Sequence, residues 1–278
     1  DRGSTKAWSF SPSSVNAGKY KVFQVEGEIV SHTLQAGDFY MSDGSLVGKD
    51  ANLSEAQKKA CVGVVFWVGD ATAKDKTLKA DHESCTHGLV VALKDASESV
   101  AWQSPSASVQ TWLNSNRSGV FLPVASNTGA GDPLNNIQGY NNTKAIEAFN
   151  ADDANSSNVV QAVQKVVDYR NAVSAPATSS GWYLPSEKEL TLLCGKEDVT
   201  DIWKNQSGGT SMRDLLNGTN GPFNKLGSSS YATVIQTSYY WSSTENDSGH
   251  AFGVYFGDGY VGNYYKHETF RVRCVLAF

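Results

Sequence analysis

The chain has 278 residues, of which 40% are hydrophobic and 18% charged, the latter below the ~25% usual for soluble proteins. Its 23 basic and 28 acidic side chains give a formal net charge of −5, which excludes the basic field that a general nucleic-acid binder needs. This length predicts one or two domains with a core that needs no staples, and no apolar run approaches the ~18 residues of a membrane helix.

Residues 1–20 are Ser-rich and weakly patterned, and the start at Asp1 is that expected of a mature or trimmed chain that has lost a leader. Loose alternation from Lys19 to Ile29 predicts strands up to about Ser31. Gly37 to Gly44 predicts a short strand and a turn, and Ser54 to Ala60 one or two helical turns. Two nearly continuous apolar runs, Cys61 to Val68 and Gly88 to Leu93, predict buried strands with a polar loop between them. Helices follow. Val109, Trp112 and Leu113 stand at i, i+3 and i+4; Ile146 and Phe149 follow Thr143, a cap for a short helix; Val159, Val160, Val163, Val166 and Val167 make a helical stripe. The sharpest local signal is Ser186 with Glu189, a capping box that opens a helix closed by Gly195. Asn127–Asn142 and Gly208–Ser230 read as long loops. From Tyr239 the pattern turns to strands: Tyr239–Ser243, then Phe252, Val254 and Phe256, then Tyr260 and Val261 after the turn Gly257-Asp258-Gly259, and a last strand Arg271–Phe278. On that last strand Val272, Cys274, Leu276 and Phe278 share one face. The four cysteines, Cys61, Cys85, Cys194 and Cys274, form no CxxC and have no His at zinc spacing. They read as buried thiols, or with Cys194 and Cys274 bridged between a helix and the final strand.

Three blocks carry a family resemblance: Gly181-Trp182-Tyr183-Leu184-Pro185-Ser186-Glu187-Lys188-Glu189-Leu190, then Tyr240-Trp241-Ser242-Ser243-Thr244-Glu245, then Arg271 to Phe278. Together they resemble the bacterial C-type-lectin-fold domains related to the formylglycine-generating enzyme, over residues 37–278. The resemblance implies an α+β C-type lectin fold, two main helices packed on a small twisted antiparallel sheet with long loops. Residues 1–36 fall outside it, as a strand-rich extension or the remnant of an upstream domain. Oxidation chemistry like that enzyme's needs two nearby cysteines, and Cys274 has no close cysteine in sequence. Calcium-dependent lectin sites use Pro-containing triplets and Trp-Asn-Asp; this chain has Trp241-Ser242-Ser243, and Asp132-Pro133 and Asp258 do not supply the 6–8 oxygens required. No cofactor and no metal are expected, and no hydrolase elbow or phosphate loop is present.

Within that family the C-terminal block is most similar to the variable proteins diversified by retroelements, in which AAY codons become NNY codons. Residues 246–270 fit that repertoire, with Lys266 and Glu268 as the positions no NNY codon reaches and Ala251, Val254, Phe256, Gly259 and Val261 as scaffold. The binding face predicted from this resemblance comprises Asn246, Asp247, Ser248, His250, Phe252, Tyr255, Asp258, Tyr260, Asn263, Tyr264, Tyr265, His267 and Phe270. Such a mixture also has the physics of a paratope. Tyr supplies contact area at low rotamer cost, and Ser, Gly and Asn adapt their hydrogen bonds. Arg271 and Arg273 are expected to pair with Glu245 or Glu189, and Trp182 and Trp241 to anchor the core. The function expected is a non-enzymatic receptor or adhesin, exported to the cell surface or outer membrane with a lipid anchor as an option, that binds a protein or glycan. The alternative is a structural subunit of a fimbrial or cell-envelope assembly.

Overall fold

In the computed structural model the described residues are 19–23, 29–125, 135–195, 209–227 and 230–278. Strands β1 (Lys19–Phe23) and β2 (Ile29–Thr33) pair antiparallel as a small sheet of their own. At the end of β2, His32 Nε2 lies 3.0 Å from Oδ2 of the buried Asp38, which joins this hairpin to the rest.

The two apolar runs are adjacent antiparallel strands, β5 (Cys61–Val68) and β6 (Gly88–Ala92). With β3 (Phe39–Met41), β4 (Leu46–Val47) and β12 (Val275–Ala277) they form a sheet in the order β12-β6-β5-β3-β4. Both faces of this sheet are covered. Leu89 and Val91 enter one apolar cluster, Val90 and Ala92 the other, all fully buried. That is why these runs are continuously apolar rather than alternating. Each such side chain contributes about 1.5–3 kcal/mol by burial.

The second sheet joins β7 (Ser97–Ala101), β8 (Tyr239–Glu245), β9 (His250–Tyr255), β10 (Tyr260–Tyr265) and β11 (Thr269–Val272) in the order β10-β9-β8-β11-β7. Its β8–β11 pairing is parallel, so the sheet is mixed. The expected single strand Arg271–Phe278 is two strands in two sheets, β11 and β12. The chain crosses between them at Arg273, whose buried guanidinium donates to Ala92 O, Thr233 O and Asp95 Oδ1. The one-face alternation survives the crossing: Val272, Cys274, Leu276 and Phe278 all enter the same cluster.

Among the described residues there are eight α-helices, not two main ones. α1 (Glu55–Ala60), α3 (Val109–Asn116) and α6 (Glu187–Cys194) start at their serine caps, Ser54, Ser108 and Ser186. α5 (Gln161–Ala172) carries Val163, Val166 and Val167 of the valine stripe, while Val159 and Val160, expected to be helical, precede it, Val160 as the extended cap residue. α2 (Lys76–Asp81) occupies the expected polar loop because Asp75 caps it and Leu78 is buried. α4 (Gly139–Asn150) begins four residues before Thr143, the expected cap. Its first-turn donors are met by distant carboxylates, Glu189 Oε2 to Gly139 N at 3.0 Å and Asp75 Oδ2 to Asn141 N at 2.9 Å. α7 (Ser211–Asn217) and α8 (Pro222–Leu226) lie in the expected loop 208–230; Met212, Leu216, Phe223 and Leu226 bury their apolar sides. Asp132 and Pro133 lie outside the described residues.

One core cluster lies between the two sheets and α6 to α8; the other packs both sheets against α3, α4 and α5. Trp182 and Trp241 are core anchors, 1% and 0% exposed. All four cysteines are buried and free, and Cys194 and Cys274 belong to opposite clusters, so the alternative bridge does not form. Arg271 and Arg273 both pair with Asp95, at 2.8 and 3.1 Å, and not with Glu245 or Glu189.

Candidate functional site

The β9–β10 hairpin is held at its base by an ion pair. Glu245, the last residue of β8, and Lys266, the first after β10, are both fully buried and 2.6 Å apart. Glu245 also accepts from Val109 N and Gln110 N, each at 2.9 Å, so the carboxylate sits at the N-terminus of α3. Lys266 Nζ donates to Ala107 O and Gln103 Oε1 and lies 4.7 Å over the Trp102 ring. Burial pulls the Lys266 ammonium below its ordinary value, and Glu245 opposes that pull.

Alternation along the strands then sorts the side chains. On one face Phe252, Val254 and Val261 are buried with Tyr240 and the residues of α6. The opposite face is aromatic. Tyr239 meets Tyr255 at 4.7 Å, Phe270 at 4.9 Å and Tyr264 at 5.2 Å between ring centroids, and Trp241 stacks on Phe270 at 4.2 Å. Near β7 and β11 this face is covered by α5. Toward β9 and β10 it opens: Tyr239, Tyr255 and Tyr264 are half-buried and Tyr260 is 43% exposed. Burial raises the Tyr264 hydroxyl above its ordinary value, with Tyr239, Tyr260 and Glu187 adding to the effect.

Glycines shape the open part. A Cβ on Gly262 would stand 2.8 Å from Tyr264 Oη and 3.0 Å from Tyr260 Cε1, and one on Gly257 would overlap the Tyr255 ring. Atoms of the phenol rings therefore occupy the space that a side chain at Gly257 or Gly262 would fill. On Gly253 the same atom would meet Tyr240 O at 2.9 Å, which keeps the strands close beneath.

Of the thirteen predicted residues, Tyr255, Tyr260 and Tyr264 converge on this face, with Phe270 as their buried floor at 9% exposure. A second group gathers on the hairpin rim. His250 Nδ1 lies 2.9 Å from Asp247 Oδ1, and Tyr265 lies between His250 and His267, at 4.5 and 5.4 Å. Partial burial pushes the Asp247 carboxyl up, but hydrogen bonds from His250 and from Gly249 N hold it below its ordinary value. Asn246 donates to Asp247, and Asp258 accepts from Tyr260 N in the β9–β10 turn. Ser248, Asn263 and His267 are exposed. Phe252 is not a contact residue: it is fully buried, because the even positions of β9 point toward α6. Tyr239 was missed because it precedes the resembling segment; its two-residue offset from Trp241 was the available signal.

Among the described residues no group of three or more His, Cys, Asp or Glu side chains is placed to hold a metal, and no helix is long and apolar enough to cross a membrane. A protein bearing the name fimbrium tip subunit Fim1C, from Bacteroides ovatus, is 28% identical over 94% of this chain and 49% of its own length. The crystal structure of a fimbrial protein from Bacteroides ovatus superposes with a TM-score of 0.67 at 24% identity, over 89% of this chain and 49% of that one, a likeness of fold. The chain thus spans about half the length of these relatives. Neither the formylglycine-generating enzyme nor a retroelement-diversified protein is among them. The sequence profile of the Lcl C-terminal domain matches residues 91–276, two-thirds of the chain, from the middle of β6 to the middle of β12, and the chain belongs to that family.

Proposed function

We propose that the chain is the contact-making portion of a non-enzymatic fimbrial or cell-envelope subunit, exported to the cell surface. On this reading the open tyrosine face of β8, β9 and β10 is its contact surface. One observation carries it: among the described residues, a sheet whose aromatic face is covered by α5 near β7 and β11 leaves a contiguous set of tyrosines partly exposed toward β9 and β10. Isolated exposed aromatics are ordinary, but a contiguous set marks an interaction site. The fimbrial relatives support the setting. Residues 37–278 are read as one C-type-lectin-fold unit, with 1–36 as an extension, and residues 246–270 as the segment whose replacement changes what is contacted.

Shearing cells that carry the full-length protein should release it with the surface-appendage fraction, and trypsin added outside should cleave it on intact cells. Retention in the cytoplasmic fraction, untouched by external trypsin, would overturn the proposal.

A further inference from the structure

The buried Glu245–Lys266 pair has a third member. Gln103, two residues past β7, is fully buried, and its carbonyl oxygen Oε1 lies 3.2 Å from Lys266 Nζ. Its backbone N donates to Lys266 O at 3.0 Å, so main chain and side chain both hold the two residues together. Lys266 Nζ in turn lies 2.6 Å from Glu245 Oε1, and all three side chains are out of water. An amine, a carboxamide and a carboxylate in one dry site are the reactants and the base of a transamidation.

Each group is oriented for its part. Ala107 N donates to Gln103 Oε1 at 2.9 Å, and Gln103 Nε2 donates to Asn158 O at 2.6 Å. These contacts fix which end of the amide is oxygen. The Ala107 N–H is also an oxyanion donor, because negative charge gathers on Oε1 when a nucleophile adds to Cδ. The 3.2 Å contact and a C=O bond of ~1.23 Å place Nζ within about 4.4 Å of Cδ. That is at most about 1 Å beyond the ~3–3.5 Å of a near-attack pair. The leaving nitrogen Nε2 points to Asn158, which is half-buried, so ammonia departs toward the surface.

The surroundings favour the reacting forms. Burial pulls Lys266 toward the neutral amine that attack requires. Val109 N and Gln110 N hold Glu245 as the anion that accepts a proton. The Trp102 ring, 4.7 Å from Nζ, keeps water from the amine.

We propose that Lys266 and Gln103 join in an intramolecular amide cross-link, with Glu245 as the proton carrier. Glu245 takes one proton from the Lys266 ammonium, and the free amine bonds to Gln103 Cδ. The Glu245 acid passes that proton to Nε2, the Cδ–Nε2 bond breaks and ammonia leaves. Glu245 then takes a second proton from Nζ and ends neutral. Atoms and charge balance without an added reagent. The bond joins residues 163 positions apart and closes the base of the β9–β10 hairpin covalently. It does not depend on what the tyrosine face contacts.

Intact-mass spectrometry of the full 278-residue chain, purified and unfolded, tests the proposal. The wild-type mass should fall below the sequence mass by one ammonia, about 17 Da. Trypsin should release residues 95–117 and 226–271 as one branched peptide, uncut after Lys266. Gln103→Leu and Glu245→Gln should have their sequence masses and be cut after Lys266. A wild-type chain at its sequence mass would overturn the cross-link, whether or not either variant folds. The same holds for the loss of about 17 Da without the branched peptide. An undiminished cross-link in Glu245→Gln would overturn the role of Glu245.

Discussion

Glu187 opens α6 with its whole side chain inside the protein, and neither carboxyl oxygen has a hydrogen-bond partner. Ser242 lies beside it, but that hydroxyl is given to Phe252 O. Burial pushes the Glu187 carboxyl up to about 8. Glu189, one turn into the same helix, is pushed up to about 7 by burial, against the pull of Ser186 N and the Tyr183 hydroxyl. Both groups hold protons more tightly folded than unfolded, where a glutamate titrates near 4.3. Between about pH 4 and pH 8 the unfolded chain therefore binds fewer protons, and stability falls as pH rises. This contribution is complete below pH 4 and lost above pH 8. For Glu187 it is on the order of 5 kcal/mol. Urea unfolding from pH 5 to 9 should show the decline, and Glu187→Gln should flatten most of it. A variant with the wild-type slope would mean that Glu187 titrates normally.

At the scale of elements, the β9–β10 hairpin combines a fixed base and buried inner side chains with permissive exposed positions in the β8–β9 turn, on β10 and in its own turn. Its inner side chains, Phe252, Val254 and Val261, are buried, while Asp247, Ser248, Asp258 and Asn263 are exposed. The Glu245–Lys266 pair closes the base and fastens it to α3. Removing one partner of a buried pair leaves the other charge without compensation, at about 3–5 kcal/mol. Lys266→Met should cost that much in urea unfolding. Substitutions at Ser248 or Asn263 should stay within about 0.5 kcal/mol. A loss below 1 kcal/mol for Lys266→Met would show that the hairpin does not depend on the clamp. The same separation of buried from exposed positions is what would let the exposed sequence change while the fold stays.

Over the whole molecule, two sheets are fastened together by the segment that runs from β11 through Arg273 into β12. Asp95 meets both Arg271 and Arg273 there, so one carboxylate organises the crossing. The four thiols are distributed through both core clusters. Burial pushes Cys61, Cys85 and Cys194 up to about 12 and raises Cys274 as well. Reactivity requires the thiolate. Iodoacetamide at pH 8 should therefore label none of them in the native protein and all four on unfolding. In a urea series read by mass spectrometry, the four labels should appear in one cooperative step. Early labelling of Cys194 alone would show that α6 and α7 open independently of the sheets.

Local chemistry made several elements legible in the sequence alone. The capping box at Ser186 and Glu189, the apolar runs of β5 and β6, the valine stripe of α5 and the turn at Gly257–Gly259 each depend on residues within a few positions of one another. The alternation of β9 and β10 and the core roles of Trp182 and Trp241 follow from the same short-range rules. What the sequence did not disclose depends on partners far away along the chain. α4 starts early because Glu189 and Asp75 arrive from elsewhere to satisfy its first donors. The last strand divides because Arg273 finds Ala92, Asp95 and Thr233. Phe252 and Tyr255, neighbours in one predicted face, part company because helix α6 covers the side of β9 that carries Phe252, while Tyr255 lies on the opposite side and is half-buried. Periodicity tells which side chains share a face; only packing decides which face is left open to water, because that depends on what the remainder of the chain places over it.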